Sequence, residues 1–324
     1  MIRSLQSTVD YLRRALGFAG DEVAVLKGGI IRNSGAALLR RKRAKVAGFA
    51  ILFGIVSAVI ELPLPAEDFY RAMRAEVRSK PAPQDVVMIA IDDKTLNAFA
   101  RSLPSRVDDS RLIDTLIASG VGKVVFDRAH ADPENPQADT LFAQTLARHK
   151  GKVWLGFAPG HELGFQTVEE IVPRPAFREE AQLAAMNGMG NPFGLSVIFP
   201  TSVNLNGSRH PSLSAALANY TGPDRFYRPD YAFNLDSIPT FSYIDVLRSE
   251  VSAKDLAGKN VVVGERFYES ADYFRLPLRD GKVAGAYFHI MGAHTLKRGV
   301  PVDLMWVPAL LVAGLAIMAQ VLAN

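Results

Sequence analysis

Val86-Val87-Met88-Ile89-Ala90-Ile91-Asp92 is apolar at every position until its last, where an acid stands. An alternating pattern would mark a strand with one wet face; an uninterrupted one marks a strand covered on both faces, as in a parallel sheet. Lys123-Val124-Val125-Phe126-Asp127 repeats the motif, again closing on an acid. Between them, 111–119 carries Leu112, Ile113, Leu116 and Ile117 at helical spacing and ends at Gly120 and Gly122. A second helical pattern over 139–149 and a third apolar run over 152–158 complete strand–helix–strand–helix–strand. That alternation predicts right-handed crossovers in an α/β sheet with flanking helices. Farther on, 195–199, 231–234 and 260–264 read as strands, and 212–219, 241–249 and 286–297 as helices. The sheet is expected to be parallel or mixed.

The chain has 324 residues, 48% of them hydrophobic and 22% charged, which excludes wholesale disorder and leaves room for a large core. It has no cysteine, so disulfides, iron–sulfur clusters, thiolate zinc sites and cysteine nucleophiles are excluded together. The net charge of +4 is unevenly placed. Residues 1–45 hold ten Lys/Arg against Asp10, Asp21 and Glu22, so the remainder is slightly acidic.

That basic arm leads into 46–60, uncharged, with Ser57 the one clearly polar side chain; Glu61 and Leu62-Pro63-Leu64-Pro65 follow. The run is short against the roughly 20 residues that cross a hydrocarbon core of about 30 Å. Flanking Lys45 and Arg43 can reach to the interface, and Leu62 and Leu64 extend the apolar side, so 46–64 is predicted to span a membrane. A second stretch, 304–323, has Gln320 as its main polar residue, Pro308 in its first turn and Trp306 at the depth where an indole favours the interface. The positive-inside rule then places 1–45 in the cytoplasm and 66–303 outside the bacterial inner membrane, as one extracytoplasmic α/β domain anchored by two transmembrane helices. Leu5, Val9, Leu12 and Leu16 recur at helical spacing beside Arg13 and Arg14. With Arg40, Arg41, Arg43 and Trp306, these basic residues are candidate contacts to anionic lipid or to a partner. Nucleic acid is not expected, because no nucleic-acid-binding signature accompanies the arm.

Further motifs fall in one order: Ile91-Asp92-Asp93-Lys94-Thr95-Leu96; Phe126-Asp127 with Asp132-Pro133 and Asp139; Pro239-Thr240-Phe241-Ser242-Tyr243-Ile244-Asp245-Val246-Leu247; Gly258-Lys259-Asn260-Val261-Val262-Val263-Gly264; Asp272-Tyr273-Phe274; and Gly285 through His289 to Thr295-Leu296. Together they resemble the type-two CHASE family of extracytoplasmic sensory domains, over about 68–300. The resemblance implies an α/β sensor fold and, downstream, a cytoplasmic output such as a cyclase, phosphodiesterase or kinase. This chain departs in having Glu265-Arg266-Phe267 where the family favours a small residue and Thr, Ile290-Met291 after His289, and His130 at an apolar position.

Ligands of open α/β sheets gather beyond the carboxyl ends of the strands. That makes Asp92, Asp93, Asp127 and the Glu265–Arg266 loop candidates for one crevice, with Arg106 or Arg128 beside it. The simpler reading has Asp92 and Asp127 capping the turns that follow them. Six histidines show no HExxH and no metal spacing, and no nucleophile elbow, dinucleotide loop or kinase or cyclase motif is present. No catalysis, metal or cofactor is therefore expected. The chain reads as complete at Asn324: a non-catalytic two-pass protein serving as accessory or scaffolding subunit of a membrane complex, or as a homo-oligomer. The alternative is the ligand-sensing N-terminal part of a signalling protein, binding a small molecule.

Overall fold

The computed structural model describes residues 34–59, 64–163, 166–190, 197–275 and 282–300, with isolated helical positions between 311 and 318. The chain divides into two compact units, Pro65–Pro301 and the paired terminal segments Met1–Leu64 and Val302–Asn324. Arg13, Arg14 and Trp306 lie outside the described residues, as does most of 304–323.

The larger unit is built on six parallel strands: β1 (Val86–Asp92), β2 (Lys123–Phe126), β3 (Val153–Phe157), β4 (Gln182–Ala185), β5 (Thr240–Ser242) and β6 (Asn260–Arg266). Their order across the sheet is β5-β1-β6-β2-β3-β4. The chain starts at β1, moves one way through β2, β3 and β4, and crosses back to place β5 on the other side. It then inserts β6 between β1 and β2, in register Val263 with Ile89 and with Phe126. Every pairing within this sheet is parallel.

Helices cover both faces. With α1 (Ser34–Val59) and α2 (Leu64–Val77) preceding the sheet, the covering helices are α3 (Asp93–Ala98), α4 (Arg106–Ala118), α5 (Pro136–Arg148), α6 (Leu213–Ala218), α7 (Tyr243–Leu247) and α8 (Gly285–Arg298). Successive side chains of a strand point to opposite faces. Accordingly Val86, Met88 and Ala90 join one core with Leu213, Leu217, Phe288 and Ile290 of α6 and α8. Val87, Ile89 and Ile91 join another with Leu112, Leu116, Phe142 and Tyr243 of α4, α5 and α7. All six of these β1 residues are buried, which explains the run without alternation. Each of these side chains except the smaller Ala90 contributes about 1.5–3 kcal/mol on burial. Gly264 in β6 faces α8, where an added Cβ would stand 2.6 Å from that of Ala286; the helix approaches this closely only over glycine.

Several element boundaries differ from the sequence reading. α4 starts at Arg106, not 111, because Ser105 and Asp108 form a capping box that satisfies the first amides. α5 starts at Pro136, capped by the Asn135 side chain. Residues 241 and 242, read as helix, belong to β5, which pairs with Met88–Ala90; α7 begins only at Tyr243. The run 231–234 contributes only Phe233–Asn234, paired in parallel with Lys80–Pro81.

In the smaller unit, α1 carries the basic run and the apolar run on one continuous helix. Among the described residues no helix is long and apolar enough to cross a membrane. The apolar part of α1, 46–59, rises about 21 Å at 1.5 Å per residue, short of a ~30 Å core. Val46, Phe49, Ile51, Phe53 and Ile55 are nevertheless all exposed, over most of the helix surface, while Ala47, Ala50, Gly54 and Ser57 share a side that is partly to fully buried.

Candidate functional site

Beyond the carboxyl ends of β2 and β6, beside the strand that changes the direction of winding, lies a cleft of about 280 Å³. Asp127 enters it directly after β2, and Glu265 from the end of β6. Ala271, Asp272 and Phe274 come from the segment that runs into an antiparallel hairpin of Tyr273–Arg275 with Lys282–Ala284. Met186, Gly188, Val197 and Phe199 form another wall, held by a small antiparallel sheet in which Val197–Pro200 is the middle strand. The first turn of α8 closes it with Gly285, Phe288 and His289.

The polar chemistry of the cleft is carboxylate. The Asp127 side chain is 7% exposed and accepts no hydrogen bond among the described residues. His289 Nε2 stands 3.7 Å from its Oδ1, beyond hydrogen-bond range. Burial raises the Asp127 pKa well above the carboxylate range, and the charges of Asp272 and Glu265 add to it. Burial and Glu265 lift Asp272 to about 6, partly offset by the Gly285 amide. Glu265 Oε2 accepts from Ser270 Oγ at 2.7 Å. Burial drives His289 down to about 3, so this imidazole is neutral and brings no compensating charge. Asp272 can lie against α8 because residue 285 is glycine: a Cβ there would meet the carboxylate.

The remaining walls are apolar and aromatic. Phe274 meets Phe288 edge-on at 5.5 Å, and Phe199 lies 4.9 Å from the His289 ring. Among the described residues no three His, Asp or Glu side chains converge as a metal ion requires.

Of the residues chosen from sequence, Asp127 lies in the cleft, while Asp92, Asp93 and Arg266 do not line it. Asp92 caps α3: Oδ1 accepts from the Thr95 amide at 2.9 Å, from Thr95 Oγ1 at 2.8 Å and from Ser242 Oγ at 2.8 Å. Asp93 is half exposed, accepts from the Tyr268 amide at 3.3 Å and pairs with Arg101 at 3.5 Å. The Arg266 guanidinium stands 6.0 Å over the Tyr287 ring. Arg106 is committed to Glu134 and Asp139, and Arg128 to Asp109. That Asp109, fully buried, also bonds His130 Nε2 at 2.9 Å and the Tyr243 hydroxyl at 2.9 Å, forming a polar knot inside the second core. Arg40 and Arg41 lie on α1, with Arg41 exposed; Arg43 is on the same helix.

Residues 46–323 match the CHASE2 domain family. The chain belongs to the CHASE2 family. No curated protein and no solved structure matches it. CHASE2 domains are extracellular sensory domains typical of signal-transduction proteins, and the cleft occupies the position where α/β folds take their ligands. Glu265, which lies in the loop singled out from sequence, is a cleft residue. Sequence reasoning missed Asp272 and His289 as site residues. Both stood within the family motifs, but a hairpin and a helix start bring them to Asp127, and no local spacing announces that.

Proposed function

We propose that this CHASE2 chain is a non-catalytic membrane sensor whose extracytoplasmic domain reads a small molecule in the cleft and passes its occupancy along α8. The observation that carries this reading is connectivity. Gly285, Phe288 and His289 wall the cleft on the first turn of α8, and the same helix runs to Arg298, from which the chain continues into 304–323. A ligand that displaces the first turn acts on a packed helix: Ala286, Phe288, Ile290, Met291, Ala293 and Leu296 are all buried. In this reading 46–64 and 304–323 both span the inner membrane, 1–45 is cytoplasmic, and 66–303 is periplasmic. The large apolar side chains exposed over most of α1, outside the side that holds Ala47, Ala50, Gly54 and Ser57, support lipid as their surroundings.

The absence of cysteine makes the topology directly testable. Ser208→Cys, on an exposed hairpin turn, is expected to react with a membrane-impermeant maleimide in cells whose outer membrane has been opened. Ser7→Cys in the arm is expected to react only after lysis. Labelling of Ser7→Cys in intact cells, or protection of Ser208→Cys, would overturn the orientation.

An accessory role in a larger membrane assembly is favoured by a second observation. On α2, Phe69, Tyr70, Met73 and Val77 are exposed on one side, Val77 by 89%, while Asp68, Ala72 and Ala75 are buried on the other. This apolar face, close in sequence to 46–64, suits contact with another membrane protein or a second copy.

A further inference from the structure

Building on the sensory reading of the cleft, we infer that its ligand is a small organic ammonium with an apolar or aromatic arm. Three features of the cleft argue for this class. Among the described residues its ionisable lining is Asp127, Glu265, Asp272 and the neutral His289, with no Lys or Arg, so these groups offer a cation attraction and an anion none. The Asp127 carboxylate is nine-tenths buried, lines the cleft and accepts no hydrogen bond among the described residues. A buried carboxylate in that state is strongly disfavoured unless a cation or a donor reaches it. Third, the rest of the lining, including Phe199, Phe274 and Phe288, is apolar, and aromatic faces attract ammonium groups.

A bare divalent ion fits less well. The carboxylates do not converge on one point, and an ion would leave the aromatic wall without a partner. A primary ammonium needs no such convergence: it can contact Asp127 alone while its organic arm lies on the aromatic wall. The volume of about 280 Å³ falls just below the ~300–1,000 Å³ usual for ligand pockets, which limits the ligand to one small molecule. Binding balances charge without covalent chemistry: the cation holds the carboxylates ionised, and any proton they carried leaves to solvent.

The test uses the full chain in detergent micelles and three probes of one shape: phenethylammonium, 2-phenylethanol and 3-phenylpropionate. Phenethylammonium is expected to bind and raise the melting temperature, and the propionate to do neither. Asp127→Asn, an isosteric change that keeps the shape of the wall, is expected to weaken phenethylammonium by at least about tenfold, the loss typical of a charge-assisted contact. Phe274→Ala, at the partly exposed side of the cleft, provides a second variant that removes no fully buried side chain, with several-fold weaker binding expected. The ammonium assignment is overturned if phenethylammonium fails to bind at millimolar concentration, if either control binds as well, or if Asp127→Asn leaves its affinity unchanged. A control that binds and protects α8 from hydrogen exchange would refute the ammonium while sparing the sensory reading. If neither a probe nor a cleft-filling substitution reaches α8, both fall.

Discussion

Three aspartates at strand ends or in the loops beyond them carry different burdens. Asp92 accepts three hydrogen bonds and fixes the turn from β1 into α3, so Asp92→Ala is expected to lose about 1–2 kcal/mol of stability. Asp127 and Asp272 do the reverse. Their folded pKa values lie above the unfolded value, so the folded chain holds protons that the unfolded chain has released. The stability this confers is complete below about pH 4, the unfolded carboxyl value, and is lost as pH rises through about 6 for Asp272 and higher still for Asp127. The groups facing them are Glu265 on β6, His289 on α8 and each other. Asp272→Asn should therefore stabilise the chain by on the order of 1 kcal/mol at pH 7.5, after allowance for solvent screening, and by nothing at pH 4. Chemical denaturation of the variant and parent at both pH values measures this. A loss of equal size at both would show that the carboxylate serves as a structural anchor.

At the scale of elements, β1, β2 and β6 were legible because strands buried on both faces have to be apolar throughout. β4 was not: Gln182-Leu183-Ala184-Ala185 has little strand propensity and pairs only because β3 offers an edge. β5 was read as the start of a helix, since three residues are too few for a periodicity to distinguish strand from helix and Ser242 both ends the strand and precedes the helix. Helix starts were read late wherever a side-chain cap, such as Ser105 or Asn135, lay outside the apolar pattern. The cleft was half legible: a strand-end acid pointed to Asp127, whereas Asp272 and His289 reach it through tertiary packing. The exposed face of α2 leads to its own prediction. Replacing Phe69, Met73 and Val77 together by Ser should leave folding intact, because all three are exposed. The triple variant should recover less of any membrane partner, or less homodimer, in native mass spectrometry after gentle extraction. Unchanged assembly would remove α2 from the docking surface.

For the whole molecule, the proposed sensor joins a ligand position to an exit. The carboxyl edge of a doubly covered parallel sheet forms the cleft, β6 inserted beside β1 brings Glu265 to it, and α8 leaves it along one of the two cores. A core helix packed on β6 and α6 moves as a body more readily than it bends, and in the proposed sensor this would give occupancy at one end a mechanical consequence at the other. Hydrogen exchange on the full chain, comparing the parent with Ala271→Trp, tests this most directly, because the indole fills the cleft from its exposed side and stands in for a ligand. The expected result is altered protection along α8 as far as Lys297 and Arg298, with the β3 and β4 amides unchanged. A change confined to Gly285–His289 and the neighbouring loop, with the rest of α8 as in the parent, would contradict a sensor that signals through this helix.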